Sequence, residues 1–280
     1  MKKVENLTVV IEIYNEENRL AACLKNFQWA GELIVFNKHS TDNSKNIALR
    51  HADRVIDVPY CEASENFISN IEGIKSREWI MLITASSLIH PECAKQISDL
   101  LGNKNLPYDV IGIPYSIYTF GLHYDRSPWH TSHKHNLIRR SELMLSNKLH
   151  SEFSSTSNRI FNIPPLRQEV KLIHCTHRSL DDYLDKTIRY TKYEGRFYGK
   201  TSNNKALQSA FKDILKSVYI TTIRKKSFLL GWNGVALGLA YMCNYILKFL
   251  FVWEFINEEN KHYKLRDDLV SQWEDVKNKE

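Results

Sequence analysis

Trp79-Ile80-Met81-Leu82-Ile83-Thr84-Ala85-Ser86-Ser87 is the stretch whose reading decides the fold. Its apolar run reads as a buried strand that ends abruptly in small hydroxyl residues. Towards the N-terminus, similar runs recur at Leu7–Ile13, Glu32–Phe36 and Arg54–Val58, and the fourth strand itself covers Glu78–Ile83. Helical stretches separate them. One runs from Glu16 to Trp29, with Leu20, Cys23, Leu24 and Phe27 on one face. A second extends to Leu49, with Ser40, Thr41 and Asp42 as N-caps. A third covers Glu65–Ser76, and Pro91 opens a fourth that ends at Leu101. Strands alternating with helices imply βαβ units, a mostly parallel sheet, and ligands at the carboxyl ends of the strands.

Further along, Val110–Glu169 is rich in His, Tyr and Pro and reads as antiparallel strands and loops. Helices return at Ser179–Tyr198 and Ala206–Ile223. Phe228–Trp253 is strongly apolar, broken by Asn233, Asn244, Lys248 and a few glycines, and a polar tail follows Glu254. We therefore expect an α/β domain over residues 1–200 and a helical, apolar C-terminal region over residues 201–280.

With 280 residues, 43% hydrophobic and 25% charged, the composition is globular. A net charge of +6 suits an anionic ligand or an anionic membrane surface. The basic residues form no dense aromatic-interleaved runs, which argues against nucleic acid. Cys23, Cys61, Cys93, Cys175 and Cys243 are odd in number and form no Cys-x-x-Cys pair. That points to a reducing compartment. The apolar run after Lys2 and Lys3 is too short for the core of a signal peptide.

Several short motifs keep a fixed order. Tyr14-Asn15-Glu16-Glu17 follows the first strand and Ser40-Thr41-Asp42 the second, and the Trp-led strand precedes Pro91-Glu92. Asn136–Arg140, His150-Ser151-Glu152, His174 with Lys186 and Tyr190, and the segment Lys226–Lys248 come after. Together they resemble the family 2 glycosyltransferases of GT-A fold, in the branch that includes lipopolysaccharide-core β-glucosyltransferases. The resemblance implies a GT-A mixed sheet and a nucleotide-sugar donor, UDP-linked first. Tyr14, Asn15 and Glu16 would flank the base, and Asn37 would stand where the family has an Asp that accepts from uracil. Asp42 would contact the ribose or cap a helix. Asn70, Thr84, Ser86, His174 and Lys186 complete the donor-binding set.

In that family the fourth strand ends in Asp-x-Asp, which holds a divalent cation against the diphosphate. Here the place is taken by Thr84-Ala85-Ser86. Mg²⁺ or Mn²⁺ remains a possible cofactor, but its usual carboxylate ligands are missing, and no metal ligand is assigned. A metal-free enzyme needs other cations, for which Lys38, His39, His174, His177, Arg178 and Lys186 are candidates. The general base falls on Glu152 or His150, with Asp125 third. The cluster His123, His130, His133 and His135 lacks a recognisable metal spacing and reads as acceptor-loop histidines.

The implied activity is inverting transfer of a hexose from a nucleotide sugar to a cell-surface glycan or lipid-linked acceptor. The competing reading is a degenerate glycosyltransferase that serves as a binding or assembly partner. For Phe228–Trp253 the resemblance implies helices lying on the membrane, on the inner face of the cell membrane with the catalytic part in the cytoplasm. Arg224–Lys226 would assist on an anionic leaflet. A buried hairpin or an oligomer interface is the alternative.

Overall fold

In the computed structural model, residues 2–60, 77–145, 153–199, 203–257 and 261–277 are described. The Glu65–Ser76 stretch with Asn70, and the pair His150 and Glu152, lie outside the described residues. The chain divides into two compact units, one of residues 1–125 and 129–180, the other of residues 126–128 and 181–280.

The first unit is built on one mixed sheet. Strands β1 (Val4–Ile13), β2 (Ala30–Asn37), β3 (Arg54–Asp57) and β4 (Trp79–Thr84) run parallel in the order β3-β2-β1-β4. The sheet then continues through β7 (His133–Arg139), β6 (Val110–Tyr118), β11 (Leu172–Cys175) and β5 (Ser87–Ile89). β7 is antiparallel to both neighbours, while β11 and the short β10 (Ile160–Asn162) run parallel to β6. The middle of the chain is thus mixed, which corrects the expectation of an antiparallel region. The remaining strands, β8 (Met144–Leu145) and β9 (Phe153–Ser154), pair separately. This is the α/β mixed sheet with a helical C-terminal part that the sequence implied.

Alternation along β1 covers both faces of the sheet. Val9, Ile11 and Ile13 join Leu33, Val35, Met81 and Ile83 in the larger core, where they meet Leu20, Leu24, Cys93 and Ile97. These last four lie on α1 (Glu17–Asn26) and α3 (Pro91–Leu101). Val10 packs on the opposite face with Ile34, Phe36 and Ile80. Burying each such side chain is worth about 1.5–3 kcal/mol, so this pattern fixes the register. α2 (Ser44–His51) starts after the loop that contains Ser40, Thr41 and Asp42, with Asn43 rather than one of these three at its N-cap. The apolar run that opened the sequence is two strands: the chain turns at Ala85 and Ser86, and Ser87 enters β5.

The second unit is helical. It contains α4 (Leu180–Gly199), α5 (Asn203–Tyr219), α6 (Gly231–Ile256) and α7 (Lys261–Lys277). α4, expected in the first domain, is grouped with these helices. A π-helical turn, Ile220–Arg224, and a 3-10 turn, Ser227–Leu230, link α5 to α6. At Gly234 a Cβ would stand 1.8 Å from the Ser227 carbonyl oxygen, so only glycine permits this approach. Lys248 reaches Glu194 at 3.3 Å and Asp213 at 3.1 Å, and so ties α6 to α4 and α5. The polar tail forms α7, which the sequence reading left without structure.

Candidate functional site

The parallel register aligns the strand ends. Ile13 pairs with Asn37, Asn37 with Asp57, and Glu12 with Thr84. The loops after β1, β2, β3 and β4 therefore leave the sheet at one edge, where open parallel sheets take their ligands. Two of these loops hold non-glycine residues in the left-handed region, Asn15 at φ 55° and His39 at φ 53°. Such a conformation costs of order 1 kcal/mol, and hydrogen bonds between the loops offset it. The Asn15 N–H donates to the Ser40 hydroxyl at 3.1 Å, and the Asn15 side-chain oxygen accepts from the Thr41 N–H at 2.8 Å.

Asp42 and Asn37 hold these loops together. Asp42 accepts from the Glu17 N–H at 3.1 Å and from the Ser44 N–H at 2.9 Å. Desolvation disfavours its charged form, but hydrogen bonds from Ser44 and Glu17 outweigh it and keep the carboxyl below its ordinary pKa. The Ser44 hydroxyl also accepts from the Glu16 N–H at 2.7 Å. Asn37 is buried, and its amide is committed at both ends. Its oxygen accepts from the Ser40 N–H at 3.1 Å, and its nitrogen donates to Asp57 at 2.7 Å. Asp57, missed at the sequence level, is held below the usual carboxylate range by Lys45 and then by the Asn37 amide.

The exposed rings of Tyr14 and Tyr60 stand 4.4 Å apart at 53°, so the aromatic flank expected of Tyr14 is a pair. Glu16 is bound through both oxygens by Arg19, and Arg19 also donates to the Cys175 carbonyl at 3.3 Å. This arginine, absent from the sequence reading, connects the first loop to the end of β11.

At the end of β4, Thr84, Ser86 and His174 come together across ninety residues of sequence. The Thr84 and Ser86 hydroxyls are 2.8 Å apart, and His174 Nδ1 lies 3.3 Å from the first and 3.2 Å from the second. Ser87 adds a further hydroxyl 3.3 Å from Thr84. The cause is topological: His174 on β11 pairs in register with Ser87 on β5, just past the turn. The His174 ring also stacks 6.2 Å from Tyr115, whose hydroxyl burial raises above its ordinary pKa.

These donors do not fit Mg²⁺ or Mn²⁺, which prefer carboxylate and other hard oxygen ligands. The hydroxyls are neutral and bonded to one another. The acid in register with Thr84, Glu12, forms an ion pair with the buried Lys38 ammonium. That pairing also neutralises Lys38, one of the candidate cations for a diphosphate.

The edge thus gathers Tyr14, Asn15, Glu16, Asn37, Asp42, Thr84, Ser86 and His174. Lys186 belongs to the second unit and pairs with Asp182 at 3.1 Å, one helical turn away. Asn70, His150 and Glu152 lie outside the described residues. The four loop histidines part company. His133 bonds the Ile163 carbonyl and His135 the Asn162 side chain, whereas His123 and His130 face each other.

No known family profile matches this chain. Among solved structures it is similar to the mannosyltransferase PcManGT from Pyrobaculum calidifontis in complex with GDP-Man and Mn²⁺, at 14% identity over 91% of this chain and 90% of that one, TM-score 0.49. It is also similar to S. aureus TarS residues 1–349, at 11% identity over 89% of this chain and 90% of that one, TM-score 0.42. A third likeness is to glucosyl-3-phosphoglycerate synthase from Mycobacterium tuberculosis with UDP and Mn²⁺, at 19% identity over 40% of this chain, TM-score 0.33. The chain spans 44% of the length of that synthase.

Proposed function

We propose that this chain is a GT-A-type glycosyltransferase that moves a hexose from a nucleotide sugar, UDP-linked first, to a cell-surface glycan precursor with inversion. The observation that carries the reading is the preassembled strand edge, with an exposed aromatic pair beside two loops locked by Asn15, Ser40, Thr41 and Asp42. A base would stack on Tyr14 and Tyr60. The diphosphate would take hydrogen bonds from the Thr84 and Ser86 hydroxyls and from His174, in place of a metal at that position. Asn37 and Asp42 then act by holding the loops. Glu152 or His150 would take the acceptor's proton as its oxygen attacks the anomeric carbon.

A calorimetric screen of UDP-, GDP- and CMP-sugars, with Mn²⁺ and with EDTA, tests this. The expected result is binding of a UDP-sugar that EDTA leaves unchanged. Absence of nucleotide binding under both conditions sinks the reading.

The hydrogen-bonded Thr84–Ser86–His174 cluster also favours a second reading, a degenerate glycosyltransferase that serves as an assembly partner. That protein would copurify with another glycan enzyme and transfer no sugar. Thr84→Asp with Ser86→Asp separates fold from chemistry. A gain of Mn²⁺-dependent nucleotide binding supports the correspondence with Asp-x-Asp, whether or not transfer returns.

For the second unit we propose peripheral association with the inner face of the cell membrane. The support is the exposed apolar surface of Phe228, Leu229, Trp232, Leu239, Leu250 and Trp253, with Arg224, Lys225 and Lys226 beside its start.

A further inference from the structure

We propose that His123, Asp125 and His130 form a site for one divalent transition-metal ion, Zn²⁺ first, in the loop between β6 and β7. The three side chains present ligand atoms that all lie within 4.8 Å of one another. His130 Nδ1 stands 3.6 Å from Asp125 Oδ1. Ligand atoms 2.0–2.1 Å from a tetrahedral Zn²⁺ are about 3.3 Å apart, so small side-chain movements close the set.

The surroundings orient the ligands in the way a metal requires. His123 Nδ1 lies 3.0 Å from the Ile117 carbonyl oxygen. A carbonyl only accepts, so Nδ1 carries the proton and Nε2 keeps its lone pair. Histidines that bind metals commonly have their other nitrogen fixed in this manner. Tyr118 stacks on the same ring at 5.0 Å and holds its plane.

The backbone before the site is tightly turned. Thr119 and Leu122 exchange N–H···O bonds of 3.0 and 2.9 Å around Phe120 and Gly121, both at positive φ. Phe120 N–H also anchors to the His177 carbonyl at 2.8 Å. The Asp125 side chain is 76% exposed and that of His130 17%, which leaves an entry from solvent on the Asp125 side. Two imidazoles and one carboxylate favour Zn²⁺ and its transition-metal neighbours over Mg²⁺ or Ca²⁺, and they leave coordination positions open. The site is independent of the nucleotide reading.

Zn²⁺ titration of the chelator-treated full chain by calorimetry tests the assignment, with Co²⁺ absorption as a second signal. The expected result is one equivalent bound, a tetrahedral Co²⁺ spectrum, and no comparable heat with Mg²⁺. His123→Ala with His130→Ala should abolish the tight equivalent. Asp125→Asn, at an exposed position that leaves the fold intact, should weaken it about tenfold or more. His133→Ala with His135→Ala should leave it unchanged. The assignment is overturned if the wild type binds no Zn²⁺, if the first pair and Asp125→Asn leave binding intact, or if the second pair removes it.

Discussion

The strand Trp79–Thr84 and the helix Gly231–Ile256 are both strongly apolar, and they are covered in opposite ways. Trp79, Ile80 and Met81 are almost fully buried, because neighbouring strands complete their hydrogen bonds and helices cover the sheet. The segment Ser227–Ile256 is long and apolar enough to cross a membrane, yet only 17% of its most apolar 18-residue stretch is buried. A helix satisfies its own backbone, so its apolar face can stay uncovered, whereas an isolated strand cannot. The strand therefore makes the fold, and the helix presents surface. Lys248, which breaks the apolar run, is accommodated by Glu194 and Asp213 within the helical unit.

Truncation at the strand is the strongest way to break this contrast. Trp79→Ala removes a large buried ring and the cation-π contact with Arg139 at 4.7 Å. We expect a loss of about 3–5 kcal/mol, read as a lowered urea midpoint. A loss under about 1 kcal/mol would mean that the strand is not the centre of the core. On the helix the same kind of change should leave stability alone. Trp232 is 87% exposed and Trp253 52%. Trp232→Ser with Trp253→Ser should keep the urea midpoint within about 0.5 kcal/mol of wild type. It should weaken binding to anionic phospholipid vesicles by about tenfold or more, because two rings no longer leave water. Unchanged vesicle binding, or a large loss of stability, would place these rings in a core or interface instead.

The same contrast explains what the sequence disclosed. The four parallel strands were legible because continuous β-branched and aliphatic runs have few other uses. The helix Pro91–Leu101 matches at both ends because Pro91 marks its first turn and the apolar spacing is regular. The strand edge was legible in outline, since loops after parallel strands share one side. Its detail depends on register between distant segments. Asn37 meets Asp57, Tyr14 meets Tyr60, and Thr84 meets His174 only once the strands are paired. The break at Ala85–Ser86 carries no glycine or proline, so the local sequence did not announce it. α7 was missed because Lys261–Lys277 has a weak apolar stripe. The pairing of His123 with Asp125 and His130 comes from a loop that folds back on itself, which spacing alone does not encode.

The smallest of these effects concerns charge at the opposite edge of the same core. Asp109 immediately precedes β6 and is 1% exposed. Arg159 grips both of its oxygens at 2.7 and 2.8 Å, Arg139 lies 3.4 Å away, and the Ser157 hydroxyl donates to it. Desolvation opposes its charge, but the Ser157 and Arg159 hydrogen bonds and then the two guanidinium charges prevail, and its pKa falls below the ordinary value. A carboxylate depressed in the folded state stabilises above its unfolded pKa, about 3.9. That contribution is lost as pH drops through the lower, folded value. Asp109→Asn should therefore cost on the order of 1 kcal/mol at pH 7, since Arg159 is largely solvated. The gap in thermal midpoint between wild type and variant should hold from pH 7 to about pH 5. Below about pH 4 it should narrow, as the wild-type carboxyl takes up its proton. A gap that persists undiminished into strong acid would show that Asp109 acts through its shape and not through its charge.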